Sequence, residues 1–586
     1  MALDGIIQLR DVSFSYAGEK DARALDHISL DIARGEFVGV LGPSGAGKST
    51  LAAALSGAIP HHFRGQLFGA VIVDGQDTCD VTLTDVSRVV GSVNQDIDAQ
   101  MVASVVEDEL LFGLENFGVP HGEIESRLSA ALEAVGIPEL REREIATLSG
   151  GQKQKVAIAA MLALRPRVLV LDEPTAALDP ASTTMVFETL RNLNEREGIT
   201  VVVIEQKVAT LSKYCGRILV LDQGSLAFDG TPREVFSHGA ELRAMGVDSP
   251  RVARVSNSLA QHGLTAPGEP CLTVAEAKQL VADLVGSKAG TLPRHERNPL
   301  PARSPRPRTA RDKPVVSFRN VGFTYPSTGA AVRDLSFDVF PGEVVGVVGQ
   351  NGAGKTTLTK LLNGLLHPAV GEVCVAGLNT RETPTSRLAA HVSTLFQNPD
   401  RQICKDTVLD EVAFGLELTG VEGSEAHRRA GAVIERFGLP AHEAPFSLSR
   451  GQRQMVALAS VVVMEPDVVL LDEPTSGLDY RECMTVMETV AEMAERGCAV
   501  VMVCHDMEVV SDFAERVIVM ARGEVVGRGS AAEVFSDAAL MAHAGVEPPQ
   551  VVALSAALAE GVSPAFAGIA QVSGIVDLVE EMVRRD

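Results

Sequence analysis

The 586-residue chain has no excess of basic residues, no paired cysteines and no long apolar run. Its 52 Lys and Arg are outnumbered by 76 Asp and Glu, for a formal net charge of -24. Broad binding along a phosphate backbone needs clustered cations, so this balance argues against a nucleic-acid-binding protein and leaves room only for a local basic patch. The eight cysteines (79, 215, 271, 374, 404, 483, 498, 504) are scattered without C-x-x-C spacing and read as reduced thiols of a cytosolic protein. The opening residues, MALDGIIQLRD, lack a basic region followed by an apolar one, so no signal peptide is expected. Apolar runs such as residues 456–464 stop short of the roughly 18–20 residues a membrane helix needs, so contact with a membrane is expected only through a partner.

What is present is an ordinary globular composition, 46% hydrophobic and 22% charged, in a chain too long for one core. An internal repeat organises it. Gly42, Pro43, Ser44, Gly45, Ala46, Gly47, Lys48 and Ser49 return as Gly349, Gln350, Asn351, Gly352, Ala353, Gly354, Lys355 and Thr356. Gln95 returns as Gln397, Ser149 as Ser449, and Asp172 as Asp472. The offset drifts from 307 (349 − 42) to 300 (472 − 172), so whole domains repeat, with a few residues gained or lost between motifs. One gain in the first copy lies around Pro60, His61, His62, Phe63 and Arg64. No Cys or carboxylate spacing supports a metal reading of the His-His pair, and a surface-loop insertion is expected.

Two domains are therefore expected, residues 1–286 and 314–586, joined by a Pro- and Arg-rich linker at 287–313 that is too poor in apolar residues to form a core. The alternative for that linker is an arm binding anionic lipid or nucleic acid, against which its lack of aromatics counts. Alternation predicts strands over 7–16 and 28–40, and again over 315–325 and 335–348. Strand, glycine loop and helix follow at 38–54 and 345–362, and Ala/Leu/Glu-rich helices at 123–135 and 424–437. Short buried strands are expected at 168–171, 201–204, 468–471 and 500–504. The pattern is α/β: in each copy a parallel-sheet core with an antiparallel edge and a helical insertion, followed by a helical tail whose role composition does not reveal.

Both glycine loops fit G-x-x-x-x-G-K-[ST], a phosphate-binding loop whose backbone N–H groups cradle phosphate at a helix N-terminus. Lys48 and Lys355 are expected near the β- and γ-phosphates, and Ser49 and Thr356 to ligate Mg²⁺. The runs VLVLDE and VVLLDE end strands on adjacent carboxylates. Asp172 and Asp472 are placed to hold the metal through water, and Glu173 and Glu473 to orient or deprotonate an attacking water. A strand-end pair of solvated acids would not explain the recurrence beside both phosphate loops. Ahead of each pair stands a short Ser/Gly/Gln run, LSGGQ with Ser149, Gly150, Gly151 and Gln152, and LSRGQ with Ser449, Arg450, Gly451 and Gln452. Alone such a run is a weak signal; in this order it is a strong one.

Taken together these motifs resemble the nucleotide-binding subunits of ABC transporters over nearly the whole chain apart from the linker. The resemblance implies two tandem P-loop NTPase domains, with ATP and Mg²⁺ as cofactors and ATP hydrolysis as the activity. It implies that Tyr16 and Tyr325 stack on adenine, and that the loops with Thr50 and Thr357 bind phosphate. Gln95 and Gln397 would touch Mg²⁺ and the attacking water and couple to a membrane partner. Asp179 and Asp479 would cross an intramolecular head-to-tail pseudo-dimer, in which each ATP lies between one phosphate loop and the other domain's signature. His505 sits where the family places a histidine contacting the γ-phosphate. Counting back from Arg516 and Arg217, Gln206 takes that place in the first copy, and Gln cannot carry a charge. The site with Lys48, Glu173 and Gln206 would face LSRGQ, and the site with Lys355, Glu473 and His505 would face the intact LSGGQ. The second is expected to hydrolyse ATP faster; Arg450, a cation that can approach phosphate, leaves harmless variation as the other reading.

FQNPDRQ at 396–402 and DEVAFGLE at 410–417 resemble the ATPases of energy-coupling-factor transporters, which import vitamins and transition-metal ions. The first copy, with NQDIDAQ, lacks the Asn-Pro. That resemblance implies a transmembrane coupling protein and a separate membrane substrate-binding component as partners, with the chain at the cytoplasmic face of the membrane. Two alternatives remain: a soluble tandem ATPase acting on ribosomes or DNA, although the Cys clusters and basic helical linkers of such proteins are missing, and a nucleotide-gated binding module without turnover.

Overall fold

The computed structural model describes residues 5–18, 23–175, 178–266, 268–286, 313–326, 329 and 331–584. Two compact units divide the chain, Met1–Ala253 and Arg254–Asp586. The border falls inside the helix Arg251–Gln261.

In the first unit a six-stranded sheet runs in the order Ser225–Gly230, Arg217–Asp222, Phe37–Leu41, Thr200–Ile204, Val168–Asp172, Val90–Val93. All neighbours are parallel except the Ser225–Gly230 edge. The central strands are continuous apolar runs because helices cover both faces, as in parallel sheets generally. A second, four-stranded antiparallel sheet comprises Leu25–Ala33, Gly5–Tyr16, Gly65–Val73 and Gln76–Asp77. The second unit repeats both sheets, with Val344–Val348 at the centre of the six-stranded one. The apolar segments 28–40 and 335–348 are each two strands, not one. The chain turns at Gly35 and Gly342, φ 74° and 75°, and the second half of each segment crosses into the other sheet.

The helical insertions are Val106–Asn116 and His121–Ala134 in the first unit, Val408–Leu418 and Gly423–Phe437 in the second. Each packs on the helix that carries the Ser/Gly/Gln run, Gly150–Ala163 or Arg450–Val462. Behind each cassette comes a helical tail. Val274–Val285, which follows the first cassette in sequence, packs within the second unit against Gln550–Gly561 and Val572–Arg584. Its buried Ala277, Val281 and Val285 lie on one face, as period 3.6 requires. Nearby His262 Nδ1 lies 2.7 Å from Glu580 Oε2, and that partner, with Arg584, holds the Glu580 carboxyl below its usual range.

Candidate functional site

Each glycine loop leaves the C-terminal end of the central strand, where all five residues are buried in both units. Gly42 and Gly349 turn off that strand with φ of 152° and 150°. A Cβ there would lie 2.4 Å from the Leu221 carbonyl oxygen and 2.2 Å from that of Met520, so only glycine fits. The loops run into the helices Lys48–Leu55 and Lys355–Leu362, whose first N–H groups have no partner within the helix and favour an anion. Lys48 Nζ donates to the carbonyls of Gly42 and Pro43 at 2.7 and 2.8 Å, and Lys355 Nζ to those of Gly349 and Gln350 at 2.7 and 3.0 Å. Tyr16 Oη lies 3.1 Å from Thr50 Oγ1, which ties the end of the first strand to the loop helix.

Asp172 and Asp472 end the strands beside these loops. Burial raises both carboxyl pKa values; a Ser49 hydrogen bond and the Lys48 charge oppose it at Asp172, and the Lys355 and Lys360 charges at Asp472. No group of three or more His, Cys, Asp or Glu that could hold a metal occurs among the described residues. The donors are thus a hydroxyl and a carboxylate, an all-oxygen set that fits Mg²⁺ completed by phosphate and water.

Glu173 and Glu473 follow with φ of 50° and 52°, a left-handed conformation uncommon for a side chain of this kind. Their N–H groups donate across the sheet to the carbonyls of Ile204 and Val503, at 2.9 and 2.8 Å. In the first unit the Glu173 carboxylate takes Gln95 Nε2 on one oxygen at 2.7 Å and Gln206 Nε2 on the other at 2.8 Å. In the second, His505 Nε2 lies 3.3 Å from Glu473 Oε1 and the His505 N–H donates to Oε2 at 3.2 Å. Among the described residues Gln397 makes no side-chain hydrogen bond. The two copies thus surround the same carboxylate differently.

The next contrast lies one residue earlier. Buried Glu205 accepts from Thr175 Oγ1 and from the N–H of Gln206, at 2.9 Å for the latter. Lys207 Nζ donates to the Thr175 carbonyl at 3.1 Å and reaches Thr183 Oγ1 at 3.3 Å. These bonds strap Gln206 to the loop after Glu173. The second copy has Cys504 instead, 3.8 Å from Thr475 Oγ1.

The Ser/Gly/Gln runs are helix starts. Ser149 and Ser449 cap Gly150–Ala163 and Arg450–Val462 in reciprocal capping boxes with Gln152 and Gln452. Both serines are exposed at the helix tip, and Gly151 and Gly451 are buried behind them. Arg450 is half-buried over Gly477 of its own cassette: a Cβ on Gly477 would lie 3.2 Å from Arg450 Nε. Asp179 and Asp479 cap Pro180–Glu197 and Tyr480–Glu495. Tyr325 lies edge-on to Phe323, centroids 4.9 Å apart.

Two further pairs and one residue of the first cassette support these residues. Gln100 and Gln402 accept the N–H groups of Asn94 and Phe396, at 2.9 and 3.4 Å, each just ahead of the glutamine that follows the sheet-edge strand. Buried Glu109 accepts the N–H groups of Val102 and Ala103 at 2.9 and 2.7 Å, and Glu411 those of Cys404 and Lys405 at 2.8 Å. Gln154 Nε2 donates to the Glu173 carbonyl at 2.9 Å. A signal for these residues exists in the fixed spacing, 14 positions from Gln95 to Glu109 (109 − 95) and from Gln397 to Glu411 (411 − 397).

The ABC transporter family model matches residues 25–176 and 332–476. A putative ABC transporter ATP-binding protein of Caldanaerobacter subterraneus subsp. tengcongensis is 35% identical, over 94% of this chain and 96% of its own length. The putative HMP/thiamine import ATP-binding protein YkoD of Bacillus subtilis is 33% identical over 91% of this chain and 93% of its own. Among solved structures, cbiO1 from Clostridium perfringens, described as part of the ABC transporter complex cbiONQ, is 31% identical with a TM-score of 0.37, covering 41% of this chain and 94% of that one.

Proposed function

The chain belongs to the ABC transporter family and is an ATPase, and on that premise we propose that it energises an importer of the energy-coupling-factor type carrying a vitamin or a transition-metal ion. The observation that carries this reading is FQNPDRQ followed by DEVAFGLE in the second cassette. The import role in the printed name of the Bacillus subtilis relative supports it. The partners are a transmembrane coupling protein and a membrane substrate-binding component, which hold the chain at the cytoplasmic face. No helix among the described residues is long and apolar enough to cross a membrane.

ATP lies between the phosphate loop of one cassette and the signature of the other. Lys48 and Lys355 neutralise phosphate charge, while the Ser and Gly N–H groups of the facing signature bind the γ-phosphate. Ser49, Asp172 and Gln95, or Thr356, Asp472 and Gln397, would hold Mg²⁺, which when bound would stabilise charge on the phosphates. Tandem fusion makes the pairing intramolecular, at an effective concentration around millimolar for a suitable linker.

The two sites are unequal in this reading. Glu173 accepts one amide on each oxygen, which ties the carboxylate to Gln95 and Gln206 and leaves a single lone pair per oxygen for a water. Glu473 stands beside His505, whose imidazole can carry the charge that Gln206 cannot. The site of Lys355, Glu473 and His505 with Ser149 and Gly150 is the faster one, and the site of Lys48, Glu173 and Gln206 with Ser449 and Arg450 mainly holds ATP. Purification of the chain from membranes identifies the partners, and absence of any integral membrane partner overturns the importer reading. Comparing Glu173→Gln with Glu473→Gln in that complex tests the asymmetry, which equal losses of turnover reject.

A further inference from the structure

The extra stretch of the first cassette lies beside the residue assigned to the base. Phe63 is edge-on to Tyr16, with ring centroids 6.0 Å apart and planes at 89°. His62 packs on Phe63 in turn at 5.0 Å. The backbone fixes this corner: the Ala17 N–H donates to the Arg64 carbonyl at 2.9 Å, and the strand Gly65–Val73 pairs with the first strand all the way to Tyr16, opposite Gly65. Thr50 holds the Tyr16 hydroxyl from the loop-helix side.

Among the described residues the second cassette shows none of these supports. Its corresponding strand, Val370–Val375, pairs with Val316–Thr324 only as far as Gly322, opposite Val370. Tyr325 lies beyond that ladder, with Phe323 as its one ring neighbour among the described residues. The residues between the loop helix and that strand include no Phe, Tyr or Trp.

We propose that the insertion makes a purine clamp: the base of a nucleoside triphosphate stacks on Tyr16 and is walled on a second side by Phe63, so that the first cassette holds nucleotide more tightly than the second. This rests on the reading of Tyr16 as the base-stacking residue. Phe63 is 39% exposed, which leaves ring surface for a ligand and makes its replacement tolerable to the fold. A ring already held in place loses little freedom when a base binds, so the gain appears as slower release.

The test is calorimetric titration of the full-length Lys355→Ala chain, in which binding at the second loop is disabled, with ATP and with inorganic tripolyphosphate, which has no base. Phe63→Ala is expected to weaken ATP binding about five- to tenfold, within the range for one stacked base, and to leave tripolyphosphate unchanged. Phe63→Trp should stay within about twofold of the parent, since it retains the aromatic wall. Equal weakening of both ligands would place the effect in the loop's structure and overturn the clamp. If Phe63→Ala binds ATP normally while Tyr16→Ala does not, the clamp falls and the stacking reading stands. If neither substitution matters, both fall.

Discussion

Gln206 Nε2 donates to Glu173 at 2.8 Å, on a carboxylate whose other oxygen already takes Gln95 at 2.7 Å. His505 stands in the same place beside Glu473, at 3.3 Å. The glutamine amide donates and accepts hydrogen bonds but carries no charge, whereas an imidazole can also carry a charge toward phosphate. His505→Gln should therefore lower ATP turnover of the assembled complex by about a hundredfold or more, while Gln206→Ala changes it by less than about threefold. Steady-state phosphate release measures both.

The two signature serines are equivalent as helix caps, and the proposed asymmetry makes them unequal toward ATP. Ser149→Ala and Ser449→Ala should each cost about 1 kcal/mol of stability, read from denaturant unfolding, because each removes a cap acceptor. Turnover should fall mainly in Ser149→Ala if, as proposed, its helix serves the faster site. Equal losses of turnover would argue for two equal sites.

Glu411 holds the backbone that follows Gln397 by accepting the N–H groups of Cys404 and Lys405 at 2.8 Å while buried. Glu411→Ala strands both donors and should destabilise the chain by about 1–3 kcal/mol. The corresponding Glu109→Ala should behave alike, and thermal unfolding of the two variants is the measurement.

Six of the eight thiols should separate into two classes, with Cys374 and Cys483 half-buried between them. Cys79 and Cys404 are exposed, whereas Cys215, Cys271, Cys498 and Cys504 are buried. Burial, then the charges of Asp77 and Glu411, raise the two exposed pKa values, so their thiolates form only at higher pH than usual. Labelling of Cys79 and Cys404 by iodoacetamide should thus keep accelerating above pH 9, the opposite of an activated thiol. Cys498, pushed up to about 12, should label only after unfolding, as mass spectrometry of native and denatured samples would report.

The sequence disclosed the phosphate loops, the signature runs and the strand-end acids because each is a local string whose chemistry is fixed by spacing. It disclosed the parallel cores through continuous apolar strands. The break at Gly35 was less legible, since apolar alternation carries across the turn and gives no sign that the strand changes sheet. Contacts between positions far apart left no local trace at all. Phe63 beside Tyr16, Arg450 over Gly477 and the strap from Lys207 to Thr175 each join segments whose adjacency only the folded chain creates.

The helix Val274–Val285 precedes the linker and yet packs against Gln550–Gly561 and Val572–Arg584, near the far end of the chain. By its packing this helix belongs to the second unit, although in sequence it comes ahead of residues 287–312. A chain cleaved between residues 286 and 313 should therefore keep its two fragments together through that helix, and co-elution of the fragments on gel filtration is the measurement.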